Sequence, residues 1–333
     1  MRAVRAIAAG KLEVADVPEP SGSAQTLVRV RQAGICGSDL KMLAGKVRVA
    51  HPRILGHEAV GEVVSAPPGT PHGPGTTVLI DPAFSCGWCD LCLSGRTNLC
   101  RNGGLMGRDV DGVFTELVAI PADRLVAVPA TVSLEAAGLL QVLGTCVHAI
   151  RRIAPFPGQV AAVIGLGVAG QLLSQLLTEQ GVRVVGITRS VWKRDLALRL
   201  GATAVADPAD AVRVLADVTD GRGPELVVEA VGTAPTLARA VELAGIGGTI
   251  LAYGSIPSGD LGLPYHQLSE KELTLRHPRA AVAGDYAAAV GLAAAGALRL
   301  EPIVSHVLTL EDGPRAFQLV GQPSSLKVLM RVS

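Results

Sequence analysis

The stretch QVAAVIGLGVAGQLLSQLLTEQGVRVVGITRS, residues 159 to 190, leaves few architectures open. Val160 to Ile164 is an aliphatic run of the length a strand buried on both faces needs. Gly165, Gly167 and Gly170 follow as G-x-G-x-x-G. A helical pattern then puts Leu172, Leu173, Leu176 and Leu177 on one face, Gly181 stops it, and Val182 to Ile187 reads as a second strand. A bare turn could hold three glycines, but strand before and helix after make a βαβ unit. That context predicts a Rossmann domain, a doubly wound parallel sheet binding a dinucleotide. Gly167 has no Cβ, so a pyrophosphate can lie on the backbone where Val168 opens the helix. Gly165, Gly167, Val168 and Gly170 are the expected contacts.

The end of the second strand selects the cofactor. An NAD site places Asp or Glu there for the ribose 2′-hydroxyl. Here the residues are Thr188, Arg189 and Ser190, then Lys193 and Arg194, with no acid. A 2′-phosphate would meet hydroxyls and cations, so NADP(H) is expected over NAD(H). Solvated surface charge is the competing reading of those cations. Further strands in PELVVEAVG and GGTILAYGSIP end near Gly232 and Gly254, which should face the nicotinamide half.

With 333 residues the chain exceeds one ordinary core, so two domains are expected. Only 3% of residues are aromatic, so the cores must be aliphatic. Thirty Lys and Arg against 29 Asp and Glu leave no footprint for nucleic acid or an anionic membrane. The opening MRAVRAIAAGKLEVADV lacks the apolar core of a signal peptide, so the thiols should sit in a reducing compartment, the cytoplasm. Two apolar stretches, 133–150 and 159–177, carry polar and glycine positions that suit buried elements better than membrane spans.

Four of six cysteines fall in CGWCDLCLSGRTNLC: Cys86, Cys89, Cys92 and Cys100. Three cysteines in series argue against an isolated redox pair. Thiolates at this spacing can wrap one tetrahedral zinc, with Gly87 and Gly95 allowing the bends. An iron–sulfur cluster remains the alternative. Zinc held by four thiolates has no open position, so the lobe should hold structure and the chemistry should lie elsewhere.

GICGSDLKMLAG (34 to 45) and ILGHEAVGEV (54 to 63) supply a second metal-capable set, Cys36 with His57 and Glu58. Alone, each would be an ordinary buried residue. In the order G-I-C-G-S-D, G-H-E-x-x-G-x-V, the cysteine lobe, then G-x-G-x-x-G, the chain resembles the zinc-dependent medium-chain alcohol and polyol dehydrogenases along its whole length. DGVFTEL, RLGATAVADP and EAVG are in the same style, and the sorbitol, threonine and sugar dehydrogenase branch fits best.

The resemblance implies a GroES-like, β-rich catalytic domain beside the Rossmann domain. It implies two zinc ions, one structural and one bound by Cys36 and His57, with Glu58 a nearby carboxylate that can enter the coordination sphere and Asp39 orienting the histidine. Ser38 would carry the substrate's proton outward while hydride passes to or from the nicotinamide, near Thr145. Two positions depart from the pattern. The third protein ligand falls on Gln141, a weaker donor than thiolate or carboxylate. Cys146 is out of register for that role and reads as core. Lys41 stands where ethanol-type enzymes end their proton relay with histidine.

The catalytic domain is expected over 1–146 with a C-terminal return over 280–333, the Rossmann domain over 147–279 and the site in the cleft between. TLVRVRQAG, AVGEVVSA, TTVLI and FTELVAI read as strands. Lys327, in PSSLKVLM, is expected at the pyrophosphate. His51, Phe84, Arg108, Asp109 and His277 are candidate pocket walls. The substrate would be a small secondary alcohol, polyol or sugar, or the matching ketone or aldehyde. A zinc-free quinone or enone reductase of the same fold, and a catalytically weakened NADPH-binding protein, are the alternatives. The family suggests a homodimer or homotetramer.

Overall fold

The computed structural model describes residues 1–20, 25–256 and 262–332. The chain divides into two compact units. One comprises Met1–Gly144, Ala281–Gly296 and Leu300–Ser333; the other comprises Thr145–Ala280 and Ala297–Arg299.

The strand Thr26–Gly34 organises the first unit. Its β-branched residues alternate, and Thr26, Val28 and Val30 face inward. It pairs antiparallel with Glu58–Ser65, Leu117–Ile120 and Lys327–Arg331. Gly34 lies opposite Glu58 on one side and opposite Leu329 on the other. Those registers bring the ends of three strands, remote in sequence, to one place. The sheet runs on through Thr77–Ile80 to Leu125–Ala127, and from Lys327–Arg331 to Val304–Thr309. A second sheet joins Lys11–Asp16, Arg2–Ala8 and Arg53–Ile54. Aliphatic side chains fill the core, and Phe114 meets Phe317 edge to face at 5.8 Å. The short pair Ala83–Phe84 and Gly104–Leu105 closes the base of the cysteine lobe.

The second unit is a six-stranded parallel sheet. Its spatial order is Ala204–Ala206, Arg183–Ile187, Val160–Ile164, Leu226–Glu229, Thr249–Ala252, Thr274–Arg276. The order reverses between Val160–Ile164 and Leu226–Glu229, the switch point at which such sheets bind ligands. Every residue of Val160–Ile164 is buried. The four leucines predicted to share a face of Val168–Glu179 are all buried. A Cβ on Gly170 would fall 1.9 Å from the carbonyl oxygen of Gly165, so glycine alone lets helix and turn pack this closely. The expected fold class, a GroES-like β-rich domain with a Rossmann domain, is thus found. Among the described residues no helix is long and apolar enough to cross a membrane.

Candidate functional site

Cys36 follows Gly34 by two residues and precedes the helix Gly37–Leu43. Asp39, fully buried in that helix, accepts the Cys36 backbone N–H through Oδ2 at 2.9 Å. Its other oxygen lies 3.3 Å from His57 Nδ1. Neither of those two atoms has a well-aligned hydrogen-bond partner among the described residues. His57 Nε2, on the opposite side of the ring, lies 3.4 Å from Ser38 Oγ. The register Gly34 opposite Glu58 brings His57 and Glu58 to Cys36, and one donor atom from each lies within 4.8 Å of the others. Burial works against a charged imidazole, yet Asp39, with Cys36 adding to it, raises His57 well above its ordinary value. A half-buried sulfur beside a buried imidazole and carboxylate offers zinc's preferred donors, and an Asp–His contact at Nδ1 leaves Nε2 as the ligand. The set fits a zinc ion.

Lys327 departs from expectation. Only 2% of it is exposed, and its ammonium meets Glu58 Oε2 and, at 3.3 Å, the carbonyl of Ile35. The strand register explains this, since Leu329 opposite Gly34 carries Lys327 past the end of that pairing, toward Cys36. Its charge is taken up by Glu58 rather than offered to a pyrophosphate. A Cβ on Gly34 would fall within 2.8 Å of Lys327 Cε, Lys327 Nζ and Glu58 Oε2, so the pair needs glycine there.

Gln141, 7% exposed, begins the helix Leu140–Ile153. Its amide nitrogen donates to the Tyr286 hydroxyl at 3.2 Å. Cys146 is fully buried, with its sulfur 3.6 Å from the Tyr253 hydroxyl. Thr145 Oγ1 lies 2.7 Å from the same hydroxyl. Lys41 lines a groove of about 840 Å³ with Leu40, Leu43 and Phe317.

The four lobe cysteines converge. Their sulfurs lie 3.5 Å apart in the pairs Cys89–Cys92 and Cys86–Cys100, and 3.9 Å apart in Cys86–Cys92 and Cys89–Cys100. Zn–S bonds of about 2.3 Å at tetrahedral angles put sulfurs about 3.8 Å apart. The spacing suits a single ion better than an iron–sulfur cluster, whose cysteines surround several metal atoms. Desolvation opposes ionisation of Cys86, but backbone N–H groups, Cys89 N at 3.4 Å among them, lower its thiol to about 6.

In the second unit, Gly167 caps Val168–Glu179, and a Cβ there would stand in open space. That leaves the helix N-terminus accessible to a pyrophosphate. Gly232 and Gly254 pack back to back: a Cβ on Gly254 would fall 2.2 Å from Gly232 N. Beyond Ile187, Arg189 is exposed and Ser190 caps the next helix. Arg194 is engaged, donating to the Thr188 carbonyl at 2.6 Å and to Asp207 Oδ2 at 3.2 Å. Asp207 is an acid the sequence reading missed, because it arrives from the neighbouring strand. Lys193 stacks over Trp192 at 5.2 Å.

Two of the candidate pocket walls, Arg108 and Asp109, are occupied with each other. Arg108 holds Asp109 at 2.8 Å, and Asp109 also accepts the Leu105 N–H. His51 Nδ1 lies 3.3 Å from the Ala6 carbonyl, and His277 is exposed. Phe84 lines a cavity of about 590 Å³ with Arg53, Met106 and Asp111.

Comparison with known proteins finds related dehydrogenases. Residues 22–130 match the family model described as alcohol dehydrogenase GroES-like domain, and 168–295 match that described as zinc-binding dehydrogenase. An alcohol dehydrogenase of Thermus sp. ATN1 superposes with a TM-score of 0.92 at 33% identity, covering 100% of both chains. A zinc-binding dehydrogenase of Sinorhizobium meliloti 1021, solved with NADP bound, gives 0.91 at 32%, covering 99% of this chain and 98% of that one. D-xylulose reductase A of Aspergillus niger is 28% identical over 96% of this chain and 93% of its own.

Proposed function

The chain belongs to the zinc-binding dehydrogenase family, and on that premise we propose that it interconverts a polyol or related secondary alcohol with its ketone or aldehyde, using NADP(H) and two zinc ions. The observation that carries the proposal is the convergence of Cys36, His57 and Glu58, separate from a complete four-cysteine lobe. The lobe's thiolates fill a tetrahedron, so that site holds structure, whereas the three-residue set has room for a substrate. Zinc there would polarise the substrate oxygen, and the nicotinamide would carry the hydride.

The chain's own residues supply position and proton movement. Asp39 holds the His57 ring. Ser38, beside His57 Nε2, is placed to take the substrate's proton and pass it outward. Lys327 neutralises Glu58 whenever that carboxylate is not bound to metal. Gln141 would supply the third protein donor through its carbonyl oxygen, beside Cys36 and His57, with Glu58 moving to Lys327 when a substrate takes the fourth position. Gly165, Gly167, Val168 and Gly170 would cradle the pyrophosphate, Gly232, Gly254 and Thr145 would flank the nicotinamide, and Thr188, Arg189 and Ser190 would meet the 2′-phosphate. The NADP-bound relative supports that preference. Exposure of the sheet's edge strand Thr274–Arg276 is in keeping with a homodimer or homotetramer. Thiols committed to metal rather than to disulfides would suit a reducing cytoplasm.

The test is a panel of polyols, sugars and simple alcohols with NADP+ and NAD+, read as reduced nicotinamide formed. Reduction of NADP+ by at least one polyol or secondary alcohol is expected. Turnover of quinones or enones alone, with no alcohol oxidised, would contradict the proposal.

A further inference from the structure

Gln141 poses a chemical problem that a carboxylate in its place would not. Both ends of a carboxylate are oxygen, so either can face a cation. An amide has one attractive end and one repulsive end. A neutral glutamine can therefore serve a metal only if something fixes which end points which way.

The protein holds such a group. Tyr286 lies in the helix Ala283–Ala294 and is 1% exposed. Its ring packs over Gly144, three residues beyond Gln141 on the same face of the Leu140 helix. A Cβ on Gly144 would fall 2.3 Å from a Tyr286 ring carbon, so only glycine admits the ring here. From that seat the hydroxyl oxygen accepts the Gln141 amide N–H at 3.2 Å. The nitrogen end is thereby committed and the carbonyl oxygen remains.

We propose that Tyr286 is a positioning residue that fixes the Gln141 amide with its carbonyl oxygen toward Cys36, His57 and Glu58, so that glutamine can act as the third protein ligand. The proposal rests on the catalytic-metal reading above.

The experiment measures zinc retention against a competing chelator in the full-length protein, for Tyr286→Phe with Gln141 present and again in the Gln141→Glu background. Losing the hydroxyl should weaken the labile zinc about tenfold in the first case, the effect of removing a group that orients a ligand. In the Gln141→Glu background it should change retention less than about twofold, because a carboxylate needs no orienting. Cobalt-substituted samples should show the same split in their visible spectra. Equal losses in both backgrounds would mark Tyr286 as purely structural and overturn the proposal, as would no loss in the first. Cys36→Ser is the control: if it still holds two zinc ions, the catalytic-metal reading has failed instead. Should Tyr286→Phe not fold, a zinc-loaded crystal structure of the unaltered chain decides. The Tyr286 hydroxyl must then lie within hydrogen-bond reach of Gln141, and separation of the two overturns the proposal.

Discussion

The ammonium of Lys327 meets the carboxylate of Glu58 in the interior of the first unit, and each residue is only 2% exposed. The two are 269 positions apart and are joined through the strand that ends at Gly34. Glu58 thus has two possible partners, Lys327 and a metal.

That competition has a measurable consequence. Lys327→Met leaves Glu58 as a buried charge without its cation, a change that costs about 3–5 kcal/mol. The loss should be largest in chelator-treated protein and smaller in zinc-loaded protein, where a metal supplies positive charge. Denaturant titrations of both forms check this. Equal losses would mean that Glu58 does not answer to the metal.

The lobe should behave as a separate clip. Cys92→Ser is expected to lose one zinc per chain and at least about 3 °C of Tm, equivalent to about 2 kcal/mol for a chain of this size. The zinc at Cys36 should remain. Metal analysis with thermal unfolding reads both quantities, and loss of both metals together would contradict independent sites.

Cofactor choice should rest on Arg189 rather than Arg194. Arg194 is held by the Thr188 carbonyl and Asp207, whereas Arg189 is exposed beside them. Arg189→Ala should raise KM for NADP+ about tenfold, the worth of one charge-assisted contact. KM for NAD+ should barely change. Paired kinetics with the two cofactors decide the matter.

Asp81 gives a pH signature. Burial raises its carboxyl above the ordinary value, against the pull of the Ala83 N–H and Arg124. A proton is therefore bound more tightly in the folded chain. Between the ordinary and the raised values, folding gains from this group as pH falls, and the gain is lost as pH rises. Asp81→Asn should therefore compare better with the parent at neutral pH than at mildly acidic pH, as urea midpoints across that range will show.

Local periodicity made the second unit legible. Val160 to Ile164 and the four leucines after it are buried as their spacing implies, because a strand and one helix face are set by nearby residues. FTELVAI was less readable: the strand begins at Leu117, and the Phe114 and Glu116 carbonyls instead accept from Val4 and Val30. Motifs brought Cys36, His57 and Glu58 forward, but their partners depended on pairing between remote segments. Register placed Lys327 on Glu58, a neighbouring strand supplied Asp207 to Arg194, and a helix 145 positions away brought Tyr286 to Gln141. One signal was available. The chain has only three tyrosines, and two of them, Tyr253 and Tyr286, place their hydroxyls on Thr145 and Gln141. A hydroxyl carried into an aliphatic core usually has a partner waiting.

Cys36, His57 and Glu58 are proposed to hold the metal at which alcohol oxidation takes place. Zinc content, turnover and NADPH binding, measured on Cys36→Ser beside the parent, test it most directly. Two zinc ions should fall to one, turnover should be lost, and NADPH should bind as before. A Cys36→Ser protein that keeps both zinc ions and still oxidises alcohols would contradict it.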